Sequence, residues 1–453
     1  MSQQIALLED LVRDILVRLP VKSLARFKSV CNSWLGTISD PDFTRDHLDH
    51  VYSQLKDDGD YLNDHDIIKH NTLITADSSY RVVYQERRCK LRPKKRRRRS
   101  KFVSNKAYSE AETIDVLDDQ LPNLFPNDQP DRFIPKHFVR SSCDGLVLIT
   151  VHPEDAFPEL DDPAHPEDAS PELDDYHEEE DYWEMGDDYR DQEEEYLLIY
   201  NPTTRECKRV GVPPPSCYYL DAWGIGYDHI SQSYKVVRAP PSGVGTPVQV
   251  LSLKTDSWKT TTPFDDIVYR IQQDFKPVTA NRCPHWAVIK TKTDDQLIIY
   301  FDPSEEIFKV MPPPPSTEAK DFLSGPADRG NGWDLQIFEV RGGLGLCMNK
   351  AREELSLWWM KEHGVTESWT KLYNVCKTPT SKVFFTKPWF LTKRGKLLFV
   401  WNDDTFYSYD PGSHTVKALP RLDHIGQRNI LTYWYWTSLP TPYIETLVSP
   451  FTT

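Results

Sequence analysis

The feature that most constrains this chain is a phrase that returns about every fifty residues. Tyr200–Val210 (YNPTTRECKRV), Leu253–Thr260 (LKTDSWKT), Tyr300–Met311 (YFDPSEEIFKVM), Trp359–Leu372 (WMKEHGVTESWTKL) and Tyr409–Leu419 (YDPGSHTVKAL) each read as strand, polar turn, strand. With Asn201, Lys254, Asp302, Lys361 and Asp410 as markers, the intervals are 53, 48, 59 and 49 residues. One such unit has two apolar faces and nothing of its own to cover them, whereas stacked copies cover one another. The period therefore predicts a ring of small antiparallel sheets. Leu73–Gln85 reads as a first strand, turn and strand, which makes about six units. The Tyr-, Trp- and Thr-rich stretch Asn429–Val448 is placed to close the ring.

The first fifty residues follow a different pattern. Leu8, Leu11, Ile15, Leu16 and Leu19 recur at helical spacing on one face. Pro20 ends that helix, because proline lacks an amide donor and disfavours helix at the residue before it. A second run sets Leu24, Phe27, Val30, Cys31 and Trp34 against Lys22, Arg26 and Lys28, and Asp40–Pro41 stops a third short helical piece. About forty residues cannot bury this much apolar surface alone. Residues 1–48 therefore need a partner protein or the rest of the chain.

These residues resemble an F-box. RLPVKSLARFKSVCNSW followed by SDPDFTRDHL is similar to the plant type, with one departure, Leu8 where the family usually has proline. The resemblance implies three helices docked on the Skp-type adaptor of a cullin-based ubiquitin ligase, and through it on the cullin and RING subunits. It further implies adaptor contacts at Leu8, Leu11, Ile15, Leu16, Leu19, Pro20, Leu24, Phe27, Val30 and Trp34. Downstream, SSCDGLVLI, LIYNPTTRECKRV, WGIGYDHISQSYKVVR, LIIYFDPSEEIFKVMPPP and IETLVSP resemble, in order, the plant F-box-associated region. That likeness implies an all-β, kelch-like β-propeller. Strict kelch blades carry a Gly-Gly doublet that only Gly342–Gly343 approaches here, so a two-sheet β-sandwich stands as the alternative. The expected organisation is α+β and multidomain: an F-box at 1–48, a polar connector at 49–70 and a β domain at 71–450.

Two charged segments interrupt the β domain, at 87–130 and 152–196. Eleven of the fifteen residues from Arg87 to Lys101 are basic. Such a run repels itself and stays extended. It reads as a nuclear-targeting signal through Lys94, Lys95, Arg96, Arg97, Arg98 and Arg99, or as a solvated loop. Nucleic-acid binding is the weaker reading, because no aromatics interleave to stack on bases. His152–Tyr196 holds 21 acidic residues against Arg190, so it alone accounts for more than the net charge of −15. It contains a near-duplicate, HPEDAFPELDD and HPEDASPELDD, and has too little apolar content to offset its ordering entropy. Both segments are expected to be disordered.

The sequence points away from catalysis and membranes. No G-x-S-x-G, G-x-x-x-x-G-K-[ST], H-E-x-x-H or G-x-G-x-x-G occurs, the eight cysteines form no C-x-x-C pair, and no metal or cofactor is implied. No apolar run reaches the roughly 18 residues of a membrane span. Reduced thiols and the absence of a leader pattern predict a nuclear or cytoplasmic protein. Cys143 reads as a buried thiol and His285–Trp286 as a buried pair with the histidine hydrogen-bonded. Gly224 and Gly226 read as small residues that let strands pack closely. Most tryptophans read as core; Trp333, Tyr218 and Tyr219 sit in loop-like sequence and are the candidates for a substrate-facing rim. The expected function is a non-catalytic substrate receptor of a Skp–cullin–F-box ligase. The alternatives are an F-box scaffold or nuclear interaction protein outside the ligase, or an enzyme with a propeller active site.

Overall fold

The computed structural model describes residues 2–56, 72–76, 81–85, 113–116, 136–152, 195–213, 221–239, 248–261, 269–271, 276–323, 335–350, 354–376, 386–391, 395–401, 405–418 and 441–451. Helices α1 (Ser2–Val17), α2 (Val21–Phe27), α3 (Asn32–Ser39) and α4 (Pro41–Lys56) come first. Pro20 ends one helix and begins the next, its carbonyl accepting from the amides of Ser23 (2.8 Å) and Leu24 (3.1 Å). Pro41 does not only stop the third piece. It is the first residue of α4, where its missing amide is no loss. The Asp40 carboxylate caps that helix by accepting from the Asp42 amide at 2.7 Å.

The F-box unit thus has four helices rather than three, and α4 runs past the expected boundary at residue 48. Composition marked 49–56 as polar connector, yet these residues form the last turns of α4, with Val51 buried on its inner side. Arg13 of α1 pairs with Asp46 of α4 at 2.7 Å, and Phe27 meets Trp34 edge to face at 5.3 Å between centroids.

The strands then fall into six successive units. Blade 1 holds Thr72–Ala76, Arg81–Gln85 and Thr113–Val116, and blade 2 holds Lys136–Cys143, Leu146–His152, Tyr196–Asn201 and Glu206–Gly211. Blade 3 holds Ala222–Asp228, Ser233–Ala239, Val248–Ser252 and Ser257–Thr261. In blade 4 the first strand is split into Tyr269–Ile271 and Val278–Ala280, both paired with Cys283–Lys290, and Gln296–Asp302 and Ile307–Val310 follow. Blade 5 spans Leu335–Val340 to Trp369–Cys376, and blade 6 spans Thr386–Leu391 to Thr415–Ala418. A parallel contact, Glu339 to Phe390, joins these last two. Thr113–Val116 lies inside the stretch read as polar loop and is instead the outer strand of blade 1, pairing with Arg81–Gln85.

The last strand, Thr441–Tyr443, pairs with Thr72–Ala76 of blade 1, so the end of the chain completes the first sheet, as the composition of 429–448 predicts. A two-sheet sandwich is overturned by this order of small consecutive sheets. Burial follows from the stacking. Trp223, Ile225 and Val236 of blade 3 face Leu146, Leu148 and Leu197 of blade 2, while Val237 and Val250 on the opposite face meet Trp286, Val288 and Phe301 of blade 4. Ser233–Ala239 is consequently buried at every residue, whereas the outer strand Ser257–Thr261 is largely exposed. Gly224 and Gly226 are glycine because a Cβ there would lie 2.7 Å from Pro284 and 2.6 Å from Pro303.

The recurring phrase is the hairpin between the third and fourth strands of a blade. Asn201 Oδ1 accepts from the amides of Thr203 and Thr204, Asp302 Oδ1 from Ser304 and Glu305, and Asp410 Oδ1 from Gly412 and Ser413. A short side-chain acceptor at this position closes the turn on itself. That is why Asn or Asp opens three of the five copies.

Candidate functional site

Among the described residues, the hairpins between first and second strands, and between third and fourth, open on one end of the ring, and α4 lies across that end. The strand-to-strand register places Asp144–Gly145 of blade 2, Asn281–Arg282 of blade 4 and Arg341–Gly342 of blade 5 there as two-residue turns with positive φ at both positions. By the same register, Gln85 and Thr113, which flank the basic run, lie at the F-box end, while His152 and Tyr196, which flank the acidic segment, lie at the far end. The strands flanking Tyr218–Tyr219 and Trp333 also begin and end at the far end. Those three rim candidates, Lys94–Arg99 and the body of the acidic segment all fall outside the described residues.

The F-box surface divides its apolar residues into two sets. Leu16 (1 % exposed) and Leu24 (0 %) form a core with Val21, Ile38 and Phe43, against which Val12, Val17, Leu19, Phe27 and Trp34 are partly buried. Leu11 (54 %), Ile15 (61 %) and Val30 (59 %) are exposed instead, and so is Leu35 (43 %) of α3. Leu16 and Leu24 are thereby corrected from adaptor contacts to core residues, since their side chains are already covered within the chain. Leu19, Phe27 and Trp34 present only part of their surface, Pro20 is exposed, and the side chain of Leu8 lies outside the described residues. Leu35, one helical turn after Cys31, lies outside the set that the resemblance implies, although its helical spacing from Cys31 is visible in the sequence. Four exposed aliphatic side chains on one small unit are the apolar surface that the sequence leaves unaccounted for.

At the junction, the Asp144 carboxylate is buried and accepts from Tyr52 Oη of α4 (2.7 Å), Tyr234 Oη of blade 3 (2.9 Å) and Arg282 Nε of blade 4 (3.2 Å to Oδ1, 3.1 Å to Oδ2). Arg282 also reaches Asp49 at 3.3 Å and lies 5.1 Å over the ring of Tyr52. Burial and the nearby Asp144 charge push both Tyr52 and Tyr234 well above the usual phenol range. For Arg282 burial acts against the charge, but the carboxylate outweighs it and holds the guanidinium protonated.

The chain end contributes as well. Glu445 pairs with Lys22 of α2 at 3.0 Å, Leu447 enters the F-box core, and Asn201 Nδ2 holds the Thr446 and Val448 carbonyls at 3.2 and 2.6 Å.

Cys143 and His285 are both buried, as their sequence context predicts. Cys143 is buried and burial raises its thiol well above the ordinary value, the opposite of an activated nucleophile. His285 is fully buried, its Nδ1 within 2.8 Å of the Cys283 carbonyl and its Nε2 3.0 Å from His363 Nε2. Since a carbonyl only accepts, Nδ1 carries the proton, and Nε2 of neutral His285 accepts from His363. Burial first, and His363 second, lower the His285 pKa to about 3. Trp286 beside it is buried between blades 3 and 4.

Among the described residues, the structure is therefore a helical unit with exposed aliphatic side chains seated on one end of a β-propeller. Residues 189–448 match the family described as F-box associated beta propeller domain, and residues 7–46 match the F-box domain. The chain belongs to the F-box associated beta propeller family and carries an F-box; an F-box of this kind implies a Skp-type adaptor as partner, and members of the family are generally non-catalytic substrate receptors. Among relatives, the F-box protein CPR1 of Arabidopsis thaliana is 24% identical over 443 residues, covering 90% of this chain and 83% of that one. The F-box/kelch-repeat protein At3g23880 of the same organism is 23% identical over 374 residues, covering 81% and 78%. Of solved structures, the SapL1 lectin in complex with alpha methyl fucoside superposes with a TM-score of 0.35 at 7% identity, covering 78% of this chain and 95% of that one.

Proposed function

We propose that this protein is the substrate-recognition subunit of a Skp–cullin–F-box ubiquitin ligase, holding the adaptor through its F-box and a target protein on the far end of the propeller for ubiquitination and degradation. The observation that carries this reading is the exposed set Leu11, Ile15, Val30 and Leu35 on helices that otherwise keep a closed core. Catalysis by the assembly is then proximity: tethering raises the local concentration of target lysines near the charged conjugating enzyme. The far end is the target face because α4 already occupies the other, and because the long acidic connection between His152 and Tyr196 opens there.

Burying a large aliphatic side chain contributes about 1.5–3 kcal/mol. The double variant Leu11→Ala, Ile15→Ala is therefore expected to lose at least about tenfold in adaptor affinity, with the circular dichroism spectrum and melting midpoint unchanged, because neither residue is in the core. Affinity equal to the wild type in a titration with purified adaptor would refute the assignment.

A further inference from the structure

The F-box and the propeller are joined in sequence by residues 57–71, a polar stretch that by composition would let one swivel on the other. The contacts at the junction say otherwise. The Asp144 carboxylate is the meeting point of donors from three elements far apart in the chain: Tyr52 of α4, Tyr234 of blade 3 and Arg282 of blade 4. Its own backbone is held too. The Asp144 carbonyl accepts from Thr446 Oγ1 at 2.7 Å, and a Cβ at Gly145 would lie 2.3 Å from that same hydroxyl. The Tyr52 ring also packs on the blade 5 turn, where a Cβ at Gly342 would come within 3.2 Å of it. One tyrosine of the F-box helix therefore touches hairpins of blades 2 and 5 and lies under the guanidinium of blade 4.

A buried carboxylate holds its place only while its donors do. Tilting α4 away would strip Tyr52 from a buried charge, and that loss is larger than for a surface contact. A second attachment is made by the neighbours of Thr446, and it holds other helices. Leu447 packs among Leu16, Leu24 and Phe43, and Glu445 pairs with Lys22, so the chain end grips the F-box core directly. The F-box is thus held through α4 at Tyr52 and through α1 and α2 at the chain end, which leaves no single pivot.

We propose that Tyr52, Asp144 and Arg282 are positioning residues that fix the angle of the F-box on the propeller, so that the adaptor-facing helices and the target-facing end move as one rigid body. The use of this rigidity rests on the ligase reading above: it sets the span from adaptor to target rather than leaving it to a tether. The rigidity itself does not depend on that reading. Asp144→Asn keeps the turn, since asparagine tolerates positive φ, but replaces an acceptor oxygen by a donor NH2 facing two hydroxyls and a guanidinium. Tyr52→Phe is gentler and removes only one hydroxyl.

The test uses the full chain with spin labels at Ser39→Cys at the end of α3 and Lys417→Cys on the outer strand of blade 6. Both positions are exposed, and Cys31, the exposed native thiol among the described residues, is replaced by Ser. The wild type is expected to give one narrow distance distribution. Asp144→Asn and Tyr52→Phe are each expected to broaden it at least about twofold while the circular dichroism spectrum stays the same, a change that a purely structural role inside one blade would not produce. A broad distribution in the wild type, or an unchanged narrow one in both variants, overturns the proposal. Adaptor binding measured on the same samples separates the two readings. No binding with narrow distances would remove the ligase assignment and leave the rigid junction standing.

Discussion

At the scale of single residues, burial decides which of two chemically similar side chains does what. Helical periodicity treats Ile15 and Leu16 alike, yet the first is exposed and the second is enclosed. Leu16→Ala is expected to cost about 2–5 kcal/mol of F-box stability through the cavity it leaves, measurable as a lowered first transition in a denaturant melt. Gly145→Ala is expected to destabilise by at least about 1–3 kcal/mol, because its φ is +86° and the added carbon would meet Thr446 and the Ile444 carbonyl; a melting midpoint equal to the wild type would contradict that. His285 supplies a pH dependence. It is neutral when folded, with a pKa of about 3, and ordinary when unfolded, near 6.5. The unfolded chain therefore binds the extra proton between those values, so stability is full above about pH 6.5 and falls as pH drops, by up to about 1.4 kcal/mol per unit. His285→Gln is expected to flatten the slope of unfolding free energy between about pH 6.5 and 4.5 in urea titrations.

At the scale of elements, the turn chemistry was legible and the far end of the last F-box helix was not. Asn201, Asp302 and Asp410 mark their hairpins in the sequence because each closes its own turn with its own side chain, a local event. Asp144–Gly145 was legible for a different local reason, since Asp-Gly suits a two-residue turn with positive φ at both positions. By contrast, the continuation of α4 through 49–56 rests on Tyr52 meeting the propeller, beside Leu48 and through a hydrogen bond to a residue 92 positions away. The chain end behaves likewise. Leu447→Ala is expected to destabilise the F-box helices while leaving the blades intact, seen as faster hydrogen exchange in α2 and α3 with blades 3 and 4 unchanged. Unaltered exchange in α2 would show that the tail does not complete that core.

At the scale of the whole molecule, strand register puts the residues that flank the two charged segments at opposite ends. Gln85 and Thr113, on either side of the basic run, lie at the F-box end, and His152 and Tyr196, on either side of the acidic segment, lie at the far end. A target that docks at the far end therefore meets the acidic segment's attachment points. Deleting residues 154–194 is expected to change which proteins a proximity label on this chain captures, while adaptor binding stays unchanged; identical captured sets would show that the segment takes no part in recognition. Nuclear targeting by Lys94–Arg99 is a proposal from sequence. Alanine at all six positions is expected to move a fluorescent fusion out of the nucleus.

The sequence by itself determined the repeating blade unit, the turns between its strands and the presence of a helical unit with surplus apolar surface. These follow from local rules: a repeated hairpin, an acceptor that closes its own turn, a helical period interrupted by proline. Only the tertiary structure decided which apolar residues of that unit are spent inside and which are left for a partner. It also decided that Asp144, an ordinary turn residue by pattern, is the point where α4 and blades 2, 3 and 4 meet. The reason is physical. Burial and the pairing of a charge depend on what arrives from distant parts of the chain, and a single strand's alternation carries no record of what will be stacked against it.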